Sequence, residues 1–241
     1  MHSPRLLLLL LAGTFLSCTL SAQPQRVSYE LTELLERDEK GKPFSRMMDY
    51  TGKWLSIGQA ASTVQGMQME LTGPSGEILR LGDQTHIRIL HSRQIQIHQG
   101  NLILYLPPST LPFLIQTPTS KLALRESGTI QLQITSNGGL KLVSLQGNLQ
   151  LQLPKEVEDL HPGKLYFLPP GSPILGRQID IHLKLVTKTS SLLKDFPSRL
   201  PSHKQIRDAA FKESFFIKQK TPMFVGDAKS EEEFDLLLIQ P

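Results

Sequence analysis

From about Thr63 onward, apolar and polar residues alternate one by one, and a period of two demands extended chain. Met67, Met69 and Leu71 alternate with Gln68 and Glu70, Ile87 and Ile89 with His86 and Arg88, and Ile95 and Ile97 with Gln96 and His98. Farther along, Ile130, Leu132 and Ile134 bracket Gln131 and Gln133, while Leu149, Leu151 and Leu153 bracket Gln150 and Gln152. Ile179, Ile181, Leu183 and Leu185 then alternate with Asp180, His182 and Lys184. Successive side chains of a strand point to opposite faces, so each run offers one face to a core and the other to water. Turn chemistry separates the runs: Gly73-Pro74-Ser75-Gly76, Asn137-Gly138-Gly139 and Pro169-Pro170-Gly171. The expected fold is mainly β, a stacked-strand roll, sandwich or solenoid-like module over residues 63–186. No strand–helix alternation points to a doubly wound α/β sheet.

An internal repeat sharpens this expectation. Gln99-Gly100-Asn101-Leu102-Ile103-Leu104-Tyr105-Leu106-Pro107 returns as Gln146-Gly147-Asn148-Leu149-Gln150-Leu151-Gln152-Leu153-Pro154, with seven of nine positions identical. A looser copy is Pro162-Gly163-Lys164-Leu165-Tyr166-Phe167-Leu168-Pro169. Glycine at each start allows a sharp turn or bulge, after which the alternating leucines bury one face. Strands of this kind are expected to stack in equivalent layers.

The flanks read differently. Residues 1–22 form an export signal, with Arg5 as the positive region and Leu6–Leu16 as an apolar stretch shorter than a bilayer span. Two cleavages fit: after Ala22, or before Cys18, where Phe15-Leu16-Ser17-Cys18 has the form of a lipoprotein box. The chain has one cysteine, so an intrachain disulfide is excluded, and either cut leaves no free thiol. No later segment is apolar enough to cross a membrane. Residues 23–62 are expected to hold a short helix capped by Ser28 and running to Lys40, with Leu31, Leu34 and Leu35 as its apolar stripe. Residues 187–241 are expected to be a helical segment and an acidic tail. Ser202 and Gln205 have the spacing of a capping box, opening a helix that carries Ile206, Ala209, Ala210, Phe216 and Ile217.

Charge is divided sharply over this last part. Residues 184–220 hold nine Lys or Arg against three Asp or Glu, whereas 221–241 hold one against five. A solvated basic helix paired with the chain's own Glu231-Glu232-Glu233 is the simpler expectation, and a basic helix gripping an acidic partner is the other. No interleaving of basic and aromatic residues accompanies it, so nucleic acid is not an expected partner. A net charge of +4 asks for none either.

The stretch from Gly76 to Gly171 resembles the FecR-type domain of exported bacterial proteins. The resemblance is carried by Ser75-Gly76-Glu77-Ile78-Leu79-Arg80-Leu81-Gly82 with Thr85, the Gly100 strand, Ile115-Gln116-Thr117-Pro118 and Ser127-Gly128-Thr129. It continues through Leu140-Lys141-Leu142-Val143-Ser144-Leu145-Gln146-Gly147 and the Leu160-His161-Pro162-Gly163 turn. Thr189-Ser190-Ser191-Leu192-Leu193 with Phe196, and the helix after Pro201, are similar to the tail such proteins carry. The resemblance implies an all-β periplasmic module without catalytic residues, in regulators that relay an outer-membrane signal to a sigma factor. This chain departs from that arrangement: no segment to hold a sigma factor and no retained spanning helix is expected beyond the leader.

Catalytic constellations are missing. There is no Gly-x-Ser-x-Gly elbow, phosphate loop or His-Glu-x-x-His helix. His86 and His182 occupy expected polar-face strand positions, His161 precedes a turn, and Asp83 is placed to bond backbone amides. Glu70 and Asp180 are the carboxylates expected on wet strand faces, and Trp54 is expected to serve core or interface packing. No catalytic residue, cofactor or metal is expected, and no binding residue can be named. The sequence therefore points to an exported, non-enzymatic β module, periplasmic or secreted or anchored through a lipidated Cys18, that binds another envelope protein or glycan through strand edges and turns. An accessory part of a FecR-type surface-signalling relay is the alternative.

Overall fold

The computed structural model describes residues 28–46 and 53–216. The period-two runs become strands of two sheets packed face to face. Across the larger sheet lie β17 (Gln178–Asp180), β16 (Lys164–Leu168), β13 (Leu140–Gly147), β12 (Gly128–Ile134), β9 (Asn101–Leu106), β6 (Ile78–Leu81), β5 (Met67–Thr72), β1 (Ser28–Arg37) and β2 (Pro43–Ser45). A further strand, β3 (Trp54–Ser56), also pairs with β1. The smaller sheet runs β15 (Val157–Asp159), β14 (Gln150–Gln152), β11 (Lys121–Arg125), β10 (Phe113–Gln116), β8 (Gln94–Gln99), β7 (His86–His91) and β4 (Ala60–Ser62).

The order in both sheets advances with the chain. The β5–β6 hairpin lies in the larger sheet, β7–β8 in the smaller, and β9 crosses back alone. Then β10–β11, β12–β13, β14–β15 and β16–β17 alternate between the sheets. This is the sandwich the alternation demanded, built with the layer-by-layer advance of a solenoid. Because β9 is a single strand and not a hairpin, β10 returns in the direction of β8 and pairs with it in parallel. Inward residues of both sheets, among them Leu79, Ile87, Ile95, Leu104, Phe113, Leu124, Leu132, Leu142 and Leu151, form one core.

The repeated motif is a corner that moves the chain between sheets. Gly100 carries it from the smaller sheet to the larger, and Gly147 carries it the opposite way. Both glycines have left-handed φ, +91° and +99°. A Cβ on Gly100 would stand 2.4 Å from Thr85 Cα, and one on Gly147 would stand 2.4 Å from the Ser127 carbonyl oxygen. No side chain fits either corner. The two positions that differ between the copies report what covers the outer face. Ile103 and Tyr105 on β9 lie under a helical layer, whereas Gln150 and Gln152 on β14 face outward from the smaller sheet.

Three helices, α1 (Leu183–Thr189), α2 (Ser191–Lys194) and α3 (His203–Phe216), form that layer. Leu183, Leu192, Phe196, Leu200, Ile206 and Ala210 bury themselves against Leu35, Ile103 and Leu145 on the outer face of the larger sheet.

Several expectations need correction. Ser28–Lys40 is not a helix: residues 28–37 are β1, and 38–42 form a turn in which Asp38 Oδ1 accepts from the amides of Lys40 and Lys42 at 2.9 and 2.8 Å. The register of β1 against β5 shifts between Leu31 and Glu33, a bulge at Thr32. That extra residue sets Leu31 and Leu34, spaced like a helical stripe, opposite Leu71 and Met69 on one face of β5, and both are buried. Residues 23–62 accordingly supply β1 to β4, and both sheets begin before Thr63. At the other end, extended chain stops at Asp180, so Leu183 and Leu185 are helical. The Ser202 hydroxyl does not cap α3 but meets the Thr129 hydroxyl at 2.6 Å. The leader, both cleavage sites, Cys18, Ile217 and the acidic tail lie outside the described residues. No helix among the described residues is long and apolar enough to cross a membrane.

Candidate functional site

The helical layer is held to the sheet by buried polar contacts as well as by leucines. Arg80, on the outer face of β6, is 1% exposed. Its Nε donates to Glu70 Oε2 at 2.7 Å, Nη1 donates to the Leu192 carbonyl at 3.0 Å, and Nη2 donates to the Ser198 carbonyl. The guanidinium also lies over the Phe196 ring, 4.4 Å from its centroid. Burial pulls Arg80 below its ordinary pKa, and the Glu70 charge and hydrogen bond push it back. Around this anchor, Gln68 Nε2 donates to Ser191 Oγ at 2.8 Å and Arg37 pairs with Asp195. Glu213 Oε2 accepts from the Leu183 amide at 3.0 Å, tying α3 to the start of α1.

These ties leave a groove of about 690 Å³ between the helices. Lys184 and Lys188 reach it from α1, Lys194 and Arg199 from α2 and the turn after it, and Arg207 from α3. Its apolar lining is Leu193, Phe196, Ile206 and Phe211. Among the described residues no carboxylate lines it and none of the five cations is ion-paired. The three acids of this region point elsewhere: Asp195 is spent on Arg37, while Asp208 and Glu213 line a different depression, on the other side of α3. His203 also lines the groove, and its pKa is lowered by burial first and then by Arg199, Arg207 and Arg80. Phe211 is 63% exposed and Phe215 67%, and their rings meet edge to face at 4.7 Å. The combination of a cationic rim and an apolar floor suits a segment that is acidic and apolar at once.

A second cavity, about 790 Å³, runs under α1 along a polar row of the larger sheet. Gln133 of β12 is in register with Asn101 on one side and Lys141 on the other. This is where the glutamines of β12 face.

The residues marked in the sequence are scattered. Glu70, expected on a wet face, is buried because helices cover that face, and Asp180 pairs at the surface with Lys164. His86 lies 5.0 Å from His98 between ring centroids and contacts Ser62 Oγ at 2.5 Å. His182 is the residue before α1 and not a strand position. The His161 amide donates to the Tyr166 hydroxyl at 2.8 Å, and Asp83 Oδ2 accepts from the Gly66 amide at 3.0 Å. Trp54 is half exposed on β3, outside the core. Glu77 is fully buried and pairs at 2.7 Å with Arg93. Beside that pair, burial raises the Tyr29 phenol, Glu77 adds to the rise and Arg93 opposes it. Among the described residues, no three His, Cys, Asp or Glu gather as a metal site would require.

The chain matches no family model and no curated protein sequence. It is similar to two crystal structures from Parabacteroides distasonis, each provisionally named an anti-sigma factor. One shares 16% identity over 63% of this chain and 73% of that one, with a TM-score of 0.46. The other shares 14% over 51% and 59%, with a TM-score of 0.42. At that distance, function has to be read from the groove itself.

Proposed function

We propose that this chain is an exported, non-enzymatic β module that binds another envelope protein, and that the groove between α1, α2 and α3 receives an acidic, apolar segment of that partner. The observation that carries this reading is the set of five cations around Phe196, Ile206 and Phe211, which among the described residues have no ion pair and no carboxylate between them. Exposed charge pairs contribute about 0.2–1 kcal/mol each. Affinity must therefore come mainly from the aromatic and aliphatic floor, with the cations setting specificity and the rate of encounter. A glycan would engage the rim and leave this floor uncovered, so a protein segment fits better. The leader of residues 1–22 supports a place outside the cytosol, with lipidation of Cys18 as the route to membrane attachment.

The test is fluorescence anisotropy with a labelled peptide carrying four carboxylates and three large apolar residues. Binding is expected to weaken with salt and to fall about tenfold, a change of ~1.4 kcal/mol, in Arg207→Glu. A peptide of equal charge without the apolar residues should bind weakly. Equal binding of both peptides, or preference for an anionic glycan or oligonucleotide, would overturn the reading. The order of FecR-type motifs from Ser75 to Gly171 favours a second reading, an accessory part of a surface-signalling relay. Under it, the segment in the groove belongs to another component of that relay.

A further inference from the structure

We infer that in the resting protein the groove is filled by the chain's own residues 231–239, so that a partner must displace a built-in competitor. The inference rests on the groove reading above and adds its regulation. Glu231-Glu232-Glu233-Phe234-Asp235-Leu236-Leu237-Leu238-Ile239 places four carboxylates within five positions and follows them with an aliphatic run. The groove presents the complement: five cations at the rim and an apolar floor. Its cations are not neutralised by the acids of their own region, which are turned to Arg37 and to the other side of α3.

Reach permits the return. The groove lies beside the first and middle turns of α3, at His203, Ile206, Arg207 and Phe211. From Phe216 back to His203 is about 20 Å at 1.5 Å per residue. The intervening residues 217–230 number fourteen and can span up to ~45 Å extended. A tether of that length holds the segment near the groove at an effective concentration of order millimolar. Even a weak intrinsic contact is then largely formed, while a partner with a better segment still displaces it.

The experiment uses the full chain. Carbodiimide crosslinking read by mass spectrometry should join Glu231, Glu232 or Glu233 to Lys184, Lys188 or Lys194 within one molecule. Mixed heavy and light chains whose crosslinks are half heavy–light would place the tail on a second copy instead and overturn the inference. In parallel, the triple variant Glu231→Lys, Glu232→Lys, Glu233→Lys should bind the labelled acidic peptide about tenfold tighter than the parent chain. Unchanged peptide affinity in that variant, with binding still lost in Arg207→Glu, would overturn self-occupation and leave the partner site standing. Crosslinks within one chain without any peptide binding would do the reverse. As a third readout, the His203 imidazole should titrate higher in the parent chain than in the charge-reversed variant, because carboxylates in the groove offset Arg199 and Arg207.

Discussion

At the scale of single residues, the molecule depends on a charge pair that alternation alone would have put in water. Arg80 is inside, satisfied by Glu70, two backbone carbonyls and the face of Phe196. Removing one member of a buried pair strands the other, at a cost of about 3–5 kcal/mol, whereas an apolar pair of similar volume is often tolerated. Arg80→Met should therefore lower unfolding stability by that amount, read from the urea midpoint. Glu70→Gln with Arg80→Met should recover much of it. A loss below about 1 kcal/mol in Arg80→Met would show that the helices are not clasped through this guanidinium. The pair was hidden because Glu70 and Arg80 sit on the polar beat of their strands, and a period of two cannot say whether helices cover that face. The signal that could have found the cover is β9, where Ile103 and Tyr105 fill the outward beat with apolar side chains, as in strands buried on both sides.

At the scale of elements, the alternation reads well wherever one face meets water. Leu151 of β14 is fully buried while its neighbour Gln150 is half-exposed, with its amide on Asp159 at 3.0 Å. Leu151→Ala should cost about 2–5 kcal/mol and Gln150→Ala a few tenths, by the same urea titration. Equal losses would mean that the strand does not divide its faces this way. The reading fails at the two ends for separate reasons. In β1 the bulge at Thr32 inserts one residue, so a strand acquires the i, i+3, i+4 spacing of a helix at Leu31, Leu34 and Leu35. After Asp180, Leu183 and Leu185 continue the alternation by coincidence. Leu183 alone is buried among the residues of α1, and Leu185 lies on its exposed side. The groove was half legible: its cations stood out as a basic span, but its floor is assembled from α2, the turn after it and α3, which no local pattern brings together.

At the scale of the whole molecule, acid should loosen the fold through two imidazoles. His98 is held below its ordinary pKa by burial, then by His86 and Arg88, and His203 by burial and three arginines. Both bind their proton less readily folded than unfolded. Their contribution to stability is complete above the unfolded value, about 6.5, and is lost as pH falls through the lower folded values. The urea midpoint should therefore drop between pH 7.5 and 5.5, and the drop should shrink when His98→Gln and His203→Gln are combined. A midpoint that rises on acidification would contradict the assignment.

The reach of Arg80 has a temporal side. Its carbonyl partners lie 112 and 118 positions downstream, at Leu192 and Ser198. A chain made from its N-terminus lays down β5 and β6 early, with a guanidinium still seeking acceptors that have not yet arrived. Closing so distant a clasp is slow. Until it shuts, the oily ridge of Leu35, Ile103 and Leu145 stands bare, so the newborn chain carries its greasiest surface open until about its last hundred residues have been made.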